Sequence, residues 1–570
     1  MTRFRLSMIA LVAICLLGAP AWAADDDASK AETAERVVVR GAEELGGPIV
    51  PHRFFGDLRD LPRLPMWEPG DSYLVNPRRS LDEIDTFFTP AKLDPLLARQ
   101  QEVGTRGAAA SSQLLSFEGV DTGASPPDPS GDIGKNYYIH AVNASSFAIF
   151  DKTDGSLVAG PTAMDSLSSG QCAAGAGDPI IVYDDLAERW LMTEFTNIGN
   201  NDLCLYVSMT DDPVTGGWCA YEFQDSSFPD YPKWGIWPNV YMATSQQGNS
   251  PPVYAFDREN MLNCDAARPT QKLTGPGLPG LGFEIFTPAN VDGAAPPNGS
   301  PAFLMRHRDT ELGNQGPPGM PDEDILEIWQ FEVDWDTPAN TALTQLPDIM
   351  VSEFDSNLCP PINQFSCVPQ PNNGPRLDPL LEVIMNQLVY RNFGTHETLV
   401  GVLQTDIGDF EDHSGERWFE LRKTGQGDWQ LHQEGTWSPD AEHRFMGTIG
   451  MDRAGNILLG YALSSTTTSP SVRYTGRLAS DPLGVMTEPE QELVAGTGRS
   501  FSSRFGDYSH MGVDPVDDCT FWFTVEYTEG VGNTANQIGK VVFPSCLEAG
   551  GIFDDDFETG DTGEWDAGAP

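Results

Sequence analysis

The chain has 570 residues, of which 83 are acidic and only 34 are Lys or Arg, so its formal net charge is −49. A surface this anionic repels nucleic acid and anionic membranes, which argues against both as partners. We interpret the acidic excess as a solvated coat rather than as a dedicated cation-binding function.

The first residues are typical of a secretory signal. Arg3 and Arg5 form a basic start, and the apolar stretch Met8–Leu17 is too short to span a bilayer. Ala21-Trp22-Ala23 is a small-x-small cleavage site. We predict a signal peptide over residues 1–23, cleaved near Ala23, and a secreted chain that is periplasmic or extracellular. No later stretch reaches about 18 apolar residues, so we predict no transmembrane segment.

Residues 24–115 are polar and rich in proline, which predicts an irregular N-terminal extension. One helical stretch is predicted from Ser80 through Gln101, with Ser80 as its cap. Pro90 and Pro95 divide this stretch into two short pieces.

From about residue 116 to residue 546 the pattern changes. Short apolar runs of five to eight residues, such as Tyr137–Val142 and Pro179–Tyr183, alternate with Gly, Pro, Asn and Asp. No long helical periodicity competes with these runs, so the region is predicted to be all-β.

A phrase made of an apolar residue, an Asp, a short polar turn and a second apolar run repeats here. Its copies begin at Phe150, Tyr183, Met451 and Val513. Each copy predicts a strand, a tight turn and a strand, because Asp, Asn and Gly tolerate turn dihedrals and bond their own backbone. A second phrase, basic residue, bulky residue and Gly, precedes two of the copies. We therefore interpret the Asp phrase as the outer half of a repeated unit.

Repeated units of about 40 to 50 residues are the size of one four-stranded propeller blade. The units lie at 117–160, 177–223, 231–275, 286–336, 387–438, 443–484 and 504–544. We predict a β-propeller of about seven blades over residues 116–546, with six or eight blades as alternatives and an acidic C-terminal tail over 547–570. A pair of β-sandwiches is the structural alternative.

Eight cysteines remain after the signal peptide, and an even number in an exported chain predicts disulfides. Spacing does not decide the pairing, but short loops favour Cys359 with Cys367 and Cys519 with Cys546. Pairs of Cys172 with Cys204 and Cys219 with Cys264 would complete the set. A zinc site is disfavoured because no Cys-x-x-Cys pair is present.

Several stretches resemble a widespread family of exported bacterial proteins of unassigned activity. They are residues 126–143, 177–195, 389–400, 471–484 and 504–527. The resemblance covers about 117–546 and implies export and a propeller-like fold. It brings no catalytic residues.

The basic residues of the second phrase are candidate ligand-binding residues. In a propeller the innermost strands line a central channel, and ligands bind at one of its mouths. A partial ring of positive charge there would bind the carboxylate or sulfate of an acidic glycan. The candidates are Lys233, Arg391, Arg444 and Arg504. The alternative is structural, with each basic residue paired to a neighbouring Asp.

Acid–base candidates lie close to those positions, namely His396, Glu397, Asp507 and His510. A carboxylate and a His at one mouth suit glycan hydrolysis or β-elimination, although they also suit hydrogen bonds to turn backbones. Asp128, Asp132 and Gly134 are a calcium alternative, but their spacing departs from the EF-hand pattern. We therefore predict a plain Asp turn there and no cofactor.

These patterns favour a secreted propeller that binds a glycan or a surface polymer, with no established catalysis. One alternative is a polysaccharide-cleaving enzyme, a glycoside hydrolase or lyase, that acts on an acidic glycan. A sialidase is disfavoured because the chain lacks a clean Ser-x-Asp-x-Gly-x-x-Trp phrase. Another alternative is a structural cell-surface component retained through its C-terminal segment.

Overall fold

The structure is a computed structural model. It describes residues 36–68, 71, 74–75, 93–196, 201–247, 250–278, 285–310, 324–356, 358–359, 366–380, 383–408 and 412–548. The predicted signal peptide, the larger part of the predicted helical stretch and nearly all of the acidic tail lie outside these residues. Everything below concerns the compact unit Val37–Pro570.

The N-terminal extension contributes short strands and one helix. They are β1 (Val38–Arg40), β2 (Glu43–Leu45), β3 (His52–Phe54), β4 (Leu74–Val75), α1 (Leu97–Val103), β5 (Ser112–Glu118) and β6 (Ala124–Ser125). The extension therefore differs from the irregular or helical segment that we predict, because most of its described elements are strands.

Successive antiparallel meanders follow, and among the described residues they number seven. Sheet 1 contains β7 (Ser130–Ile133), β8 (Tyr137–Val142), β9 (Ser146–Asp151) and β10 (Leu157–Ala163). Sheet 2 contains β11 (Gly175–Asp184), β12 (Arg189–Thr196), β13 (Asp202–Ser208) and β14 (Trp218–Gln224). Sheet 3 contains β15 (Asp230–Trp237), β16 (Val240–Gln246), β17 (Pro252–Phe256), helix α2 (Arg258–Leu262) and β18 (Thr270–Thr274).

The next two sheets are joined by a parallel pairing of their first strands. Sheet 4 contains β19 (Thr287–Val291), β20 (Ala302–Arg308), β21 (Asp324–Glu332) and β22 (Ala342–Gln345), and β23 (Ile349–Val351) also pairs with β21. Sheet 5 contains β24 (Leu388–Asn392), β25 (Glu397–Asp406), β26 (Ser414–Lys423) and β27 (Gln430–Trp437).

The last two sheets complete the array. Sheet 6 contains β28 (His443–Met451), β29 (Ile457–Ser464), β30 (Ser471–Arg477) and β31 (Gln491–Val494). Sheet 7 contains β32 (His510–Val513), β33 (Thr520–Thr528) and β34 (Thr534–Val542), and its fourth strand is β5 from the start of the chain. Helix α3 (Pro544–Glu548) follows, and short 3-10 turns lie at Leu58–Asp60, Met164–Leu167, Gly170–Ala173, Pro338–Asn340 and Pro371–Asn373.

The first strands of the sheets contact one another in a closed circle. The order is β7, β11, β15, β19, β24, β28, β32 and back to β7. Four-stranded antiparallel sheets set radially around their first strands define a β-propeller. The predicted all-β class and propeller architecture are therefore confirmed.

Neighbouring first strands run in the same direction, which gives the ring two different ends. Ser130 and Asp132 of β7 accept hydrogen bonds from the backbone N–H groups of Ile181 and Tyr183 of β11, in the same order along both strands. Strands β19 and β24 pair in parallel. We call the end where the first strands begin the strand-start end, and the end where they turn into the second strands the hairpin end.

Aromatic pairs join neighbouring sheets. Tyr138 of sheet 1 stacks on Trp522 of sheet 7 with ring centroids 5.5 Å apart. Trp237 of sheet 3 contacts Phe303 of sheet 4 edge-on at 5.6 Å. Such pairs contribute roughly 0.5–1.5 kcal/mol each beyond the burial of their area, so they hold the sheets together around the ring.

The disulfides form the two pairs that short loops favour and the two that complete the set. Cys172–Cys204, Cys219–Cys264, Cys359–Cys367 and Cys519–Cys546 have Cα–Cα separations of 5.7, 5.8, 5.0 and 5.7 Å. One of them, Cys219–Cys264, connects sheet 2 to the segment that follows α2 in sheet 3.

The Asp phrase forms the predicted turns, but its place in the sheet differs from our interpretation. Asp452 accepts the backbone N–H groups of Ala454 and Asn456 at 2.9 Å each, between the first and second strands of sheet 6. The copies at Tyr183 and Val513 also join first and second strands. Only the copy at Phe150 joins a third strand to a fourth. The outer-half assignment was therefore wrong for three of the four copies, because a local turn pattern does not specify which strand pair it joins.

Candidate functional site

Three successive sheets begin at a residue that precedes a proline and has a strained backbone. Asp128, Asp178 and Tyr231 each precede a proline and have φ angles of 44°, 48° and 48°. A residue before proline prefers extended backbone, and a positive φ is uncommon for any residue except glycine. Local strain of this kind is concentrated at functional sites, so the strand-start end is the first place to look for one.

Side chains from these positions are connected by hydrogen bonds. Asn143 donates through Nδ2 to Asp128 Oδ2 at 2.7 Å, and its Oδ1 accepts from the backbone N–H of Asp178 at 3.3 Å. Tyr508 donates its hydroxyl to Asp178 Oδ2 at 2.5 Å. Sheets 1, 2 and 7 therefore meet in one polar network.

An arginine–carboxylate pair from the segment before β32 completes this network. Arg504 lies 2.8 Å from Asp507 Oδ2, and the Asp507 carbonyl accepts from the Tyr231 hydroxyl at 3.4 Å. Glu526 Oε2 accepts from the backbone N–H of Gly506 at 2.6 Å. We call the following residues the strand-start cluster: Asp128, Asn143, Asp178, Tyr231, Lys233, Arg504, Asp507, Tyr508 and Glu526.

Lys233 lies in the middle of the strand-start cluster with its ammonium enclosed by aromatic rings. Its Nζ is 4.3 Å from the centroid of Tyr231 and 5.2 Å from that of Tyr508. The residue is 1% exposed, and Nζ has no hydrogen-bond partner among the described residues. Asp507 Oδ1 is also buried without a partner in that part of the chain.

Burial shifts the charge states of the cluster. It lowers the pKa of the Lys233 ammonium to about 7, against the opposing attraction of Asp507 and Asp178. It raises the pKa of the Asp178 carboxyl to about 7, helped by the charge of Asp230. Burial followed by repulsion from nearby carboxylates raises the pKa values of Asp128 and Glu526 well above their usual range. Near neutral pH the cluster therefore holds exchangeable protons on both acids and an amine.

The cluster is partly open to solvent. The Arg504 side chain is 22% exposed, and Asp178 is half-buried. The segment that follows Cys367 lies alongside, since Asp378 donates its backbone N–H to the Ser503 carbonyl at 2.9 Å. A ligand would thus approach past Asp178 and Arg504.

An exposed aromatic residue lies on the same end of the ring. Phe501, three residues before Arg504, is 60% exposed and has the Arg499 guanidinium 5.5 Å from its ring centroid. Its segment pairs with the turn after β33, because Gly532 donates its backbone N–H to the Arg499 carbonyl at 2.7 Å. Second strands end at the strand-start end, so this turn and Phe501 lie at its rim.

Four of the predicted site residues come together here. Lys233, Arg504 and Asp507 belong to the strand-start cluster, and His510 lies next to it. His510 donates through Nδ1 to the Gly131 carbonyl at 2.5 Å, and burial lowers the pKa of its imidazole to about 4. This geometry makes His510 a neutral, backbone-bonded residue.

The other predicted basic residues do not join them, so the described residues form no ring of positive charge. Arg391 lies at the end of β24, on the hairpin end, and pairs with Asp518. Arg444 is buried and pairs with Asp440 at 2.9 Å and Glu490 at 2.8 Å. These two arginines match the structural alternative, because the shared sequence phrase occupies different positions relative to the strands.

The remaining acid–base candidates also lie elsewhere. Glu397 accepts from the Tyr390 hydroxyl at 2.7 Å and from Lys423 at 2.9 Å, as a buried ion pair inside sheet 5. His396 stacks on Phe393 with ring centroids 4.9 Å apart, in the turn between β24 and β25. Both residues have ordinary structural partners at the hairpin end.

A second acidic group occupies the hairpin end around Arg391. Burial raises the pKa of the Asp292 carboxyl to about 8 although Arg391 lies nearby, and burial and the charge of Asp292 raise the pKa of Asp185. Asp185 accepts from the backbone N–H of Gly293 at 2.8 Å. The exposed phenylalanines of the described residues, Phe55 and Phe501, lie elsewhere, so this group has no exposed aromatic ring beside it.

The two aspartates of the calcium alternative have different hydrogen-bond partners. Asp132 accepts from the backbone N–H groups of Ile133 and Tyr183 at 2.8 and 2.7 Å, whereas Asp128 belongs to the strand-start cluster. Within the described ranges no three His, Cys, Asp or Glu side chains are grouped as a metal site would require. No described helix is long and apolar enough to cross a membrane.

Sequence reasoning missed Asp178, Tyr231 and Glu526 as site residues, and it weighed Asp128 only as part of a calcium alternative. Asp128, Asp178 and Tyr231 share a signal, since each stands directly before a proline. The stretch from Asp128 was predicted to be a plain Asp turn. Nothing local marks Glu526, which enters the cluster only because sheet 7 closes against sheet 1.

Comparisons with known proteins find only distant likenesses. No family model matches the chain, and a search of curated proteins finds no relative. A Penicillium chrysogenum α-L-arabinanase complexed with arabinobiose is 10% identical, with 55% of this chain and 94% of that one covered and a TM-score of 0.26.

Two further solved structures are similar over more of this chain. The N-terminal domain of Nup159 is 10% identical, with 77% of this chain and 97% of that one covered and a TM-score of 0.32. A Synechocystis apocarotenoid oxygenase is 10% identical, with 80% and 96% covered and a TM-score of 0.35. Likenesses this distant say nothing of activity. The sheets themselves define the class, a β-propeller with a polar cluster at the strand-start end.

Proposed function

We propose that this protein is a secreted β-propeller that binds a glycan or a hydroxyl-rich surface polymer at the strand-start end. The observation that carries the proposal is that a donor and an acceptor are both unsatisfied in the strand-start cluster, whose buried atoms without a partner among the described residues also include Asp128 Oδ1 and Glu526 Oε1. Lys233 Nζ is a donor without an acceptor and Asp507 Oδ1 is an acceptor without a donor, within the described residues. Leaving such groups unpaired costs roughly 1–3 kcal/mol each, and a sugar hydroxyl both accepts and donates.

The exposed aromatic at the rim supports the same ligand class. Binding sites combine aromatic surface with a few polar groups that fix orientation. Phe501 offers a flat apolar face on the same end of the ring as Arg504 and Asp178, which offer charge and hydrogen bonds. A sugar ring packed on Phe501 would direct its hydroxyls toward the cluster.

Secretion is part of the proposal and rests on two independent features. The N-terminal sequence is typical of a signal peptide. The described residues also contain four disulfides, which persist in oxidising compartments. Detection of mature protein that begins near Ala24 outside the cytoplasm would test this part.

Binding is tested with purified mature protein on a glycan array and in pull-downs with acidic and neutral polysaccharides. We expect binding to at least one glycan class. Lys233→Met and Phe501→Ala should each weaken it about tenfold, which corresponds to about 1.4 kcal/mol. Phe55→Ala is the matched control, because Phe55 is 73% exposed but follows β3 on the outer edge of sheet 2. Silence on every glycan, or binding that neither variant weakens, would contradict the proposal.

A polysaccharide-cleaving activity is the second candidate, favoured by Asp178. Burial raises the pKa of this carboxyl to about 7, so it is partly protonated at neutral pH and half-buried at the entrance. A general acid in glycan cleavage needs such a carboxyl. Release of new reducing ends or unsaturated ends from acidic polysaccharides, abolished in Asp178→Asn, would support this candidate. Binding without product would favour the first.

A further inference from the structure

Lys233 differs from the other lysines of the described residues in having no partner. Four of the other five lysines pair with a carboxylate: Lys135 with Glu188, Lys152 with Asp514, Lys272 with Asp225 and Lys423 with Glu397. Lys540 donates to the Lys152 carbonyl at 3.4 Å. Among the lysines of the described residues, only Lys233 has a buried Nζ without a hydrogen-bond partner.

The burial of Lys233 favours a neutral amine. The residue is 1% exposed, so little water solvates a charge on Nζ, and this outweighs the attraction of the ammonium to the faces of Tyr231 and Tyr508 at 4.3 and 5.2 Å. Burial accordingly lowers the pKa of the ammonium to about 7. A lysine that is desolvated in this way becomes a nucleophile near neutral pH.

Groups that can move a proton stand beside the amine. The Tyr508 hydroxyl, whose ring faces Lys233, donates to Asp178 at 2.5 Å. Arg504 pairs with Asp507 through a single guanidinium nitrogen and is partly exposed, so it can also receive a ligand carboxylate.

We propose that Lys233 forms an imine with a small carbonyl compound, an aldehyde or an α-oxo acid whose carboxylate pairs with Arg504. The amine lone pair attacks the carbonyl carbon, and the carbonyl oxygen takes a proton from the protonated Asp178 carboxyl, which the Tyr508 hydroxyl holds in place. One nitrogen proton then returns to the Asp178 carboxylate to give the carbinolamine, whose hydroxyl leaves as water with the second nitrogen proton as the C=N bond forms. Amine plus carbonyl gives imine plus water, with no oxidation or reduction.

This inference goes beyond glycan binding and does not depend on it. Both proposals involve Lys233, but imine formation requires a carbonyl carbon in the ligand. After reduction it is detected as a covalent modification of the lysine. The protein can be modified at Lys233 without binding a glycan, and it can bind a glycan without being modified.

The test is reductive trapping with glyoxylate and cyanoborohydride on the intact mature protein, followed by peptide mapping. Lys272 is the matched control, since it lies in the same sheet and over a Tyr254 ring at 5.3 Å but pairs with Asp225 at 2.5 Å. Because each pKa unit changes the free-amine fraction about tenfold, we expect the carboxymethyl adduct on Lys233 at least about tenfold faster than on Lys272.

Two further measurements make the result decisive. In denaturant the two lysines should label at similar rates, which shows that the preference belongs to the fold. Tyr508→Phe, which keeps the ring but removes the donor to Asp178, should slow labelling of Lys233 and leave Lys272 unchanged. Labelling of Lys233 no faster than that of Lys272 in the native protein would overturn the inference.

Discussion

Buried carboxyl groups make the stability of this fold depend on pH. Glu194 of β12 is fully buried, and its Oε1 accepts from the Tyr206 hydroxyl at 2.5 Å. Burial raises the pKa of this carboxyl from 4.5 to about 8. Glu416 of sheet 5 is similar, with a pKa raised to about 8 by burial and with Gln404 donating to its Oε2 at 2.7 Å. A group held protonated in the folded state makes stability fall as pH rises.

Glu194→Gln should remove one part of that pH dependence. The folded state keeps a proton that the unfolded state releases above pH 4.5, so the stabilisation is fully present below pH 4.5 and is lost as pH rises through 8. Gln resembles the protonated form at every pH. Relative to wild type, the variant should gain on the order of 3 kcal/mol of unfolding free energy between pH 5 and pH 8.

Denaturant unfolding at a series of pH values measures this difference. Glu188→Gln is the control, because the Glu188 side chain is 52% exposed on a turn of the same sheet. Parallel pH profiles for wild type and Glu194→Gln would show that Glu194 is ionised in the folded protein.

At the scale of elements, the N-terminal strands act as a belt across the outer edges of the sheets. Strand β1 pairs with β22 of sheet 4, β2 with β18 of sheet 3, and β3 with β14 of sheet 2. Edge strands with free N–H and C=O groups invite pairing with other chains, so the belt protects these sheets. Gly41 and Gly46, with φ angles of 83° and 71°, lie where the chain leaves β1 and β2.

Gly41→Ala should loosen the belt locally. The site has open space around it, so the penalty comes only from the left-handed backbone, about 1 kcal/mol. Hydrogen exchange of the Val38–Arg40 amides should speed up roughly fivefold for that loss. Gly47→Ala is the control, because Gly47 also has open space but no positive φ. Equal exchange in both variants would mean that β1 is held by side chains alone.

Elements formed by neighbouring residues were predictable, whereas elements formed by distant pairing were not. The runs 177–223 and 231–275 predicted from sequence nearly coincide with sheets 2 and 3. The unit predicted at 117–160 failed at its start, because Phe117 belongs to β5 and pairs with Ile538. The belt was missed for the same reason. Three-residue strands such as His52–Phe54 have no period to detect, and their pairing depends on an edge supplied more than a hundred residues later.

The same distinction explains the candidate site. Arg504 and Asp507 are close in sequence, and the Arg-Phe-Gly-Asp phrase already marked them. Lys233 was also a predicted site residue, but its properties depend on the side chains around it. These are Tyr231 from its own strand and Tyr508 from sheet 7. The absence of a partner for Nζ within the described residues is a property of packing, and no pattern in the sequence encodes it.

At the scale of the whole molecule, the dominant property is self-repulsion. The formal net charge is −49, and the cations in the described residues are largely committed to pairs with nearby carboxylates. Excess charge of one sign destabilises the compact state, and dissolved salt screens it.

Added salt should therefore stabilise the protein at neutral pH. Raising NaCl from about 0.01 M to about 1 M shortens the screening length from roughly 30 Å to roughly 3 Å. We expect the melting temperature to rise by several degrees, as measured by calorimetry. The control is the same titration near the sequence isoelectric point of about 4.2, where the net charge vanishes and the rise should largely disappear. A melting temperature that falls with salt at neutral pH would mean that surface ion pairs outweigh the repulsion.

The closure of sheet 7 has a consequence for the order of events during synthesis. Its outer strand β5 leaves the ribosome early, and its partner β34 is among the last segments made, with Ser116 and Gln537 separated by 421 positions. Until β34 emerges, β5 has no mate and the ring cannot shut. Sheet 7 therefore stays incomplete until nearly the whole chain has been translated. We expect the pairing of β5 with β34 to be among the last contacts formed, because these two strands are synthesised far apart in time.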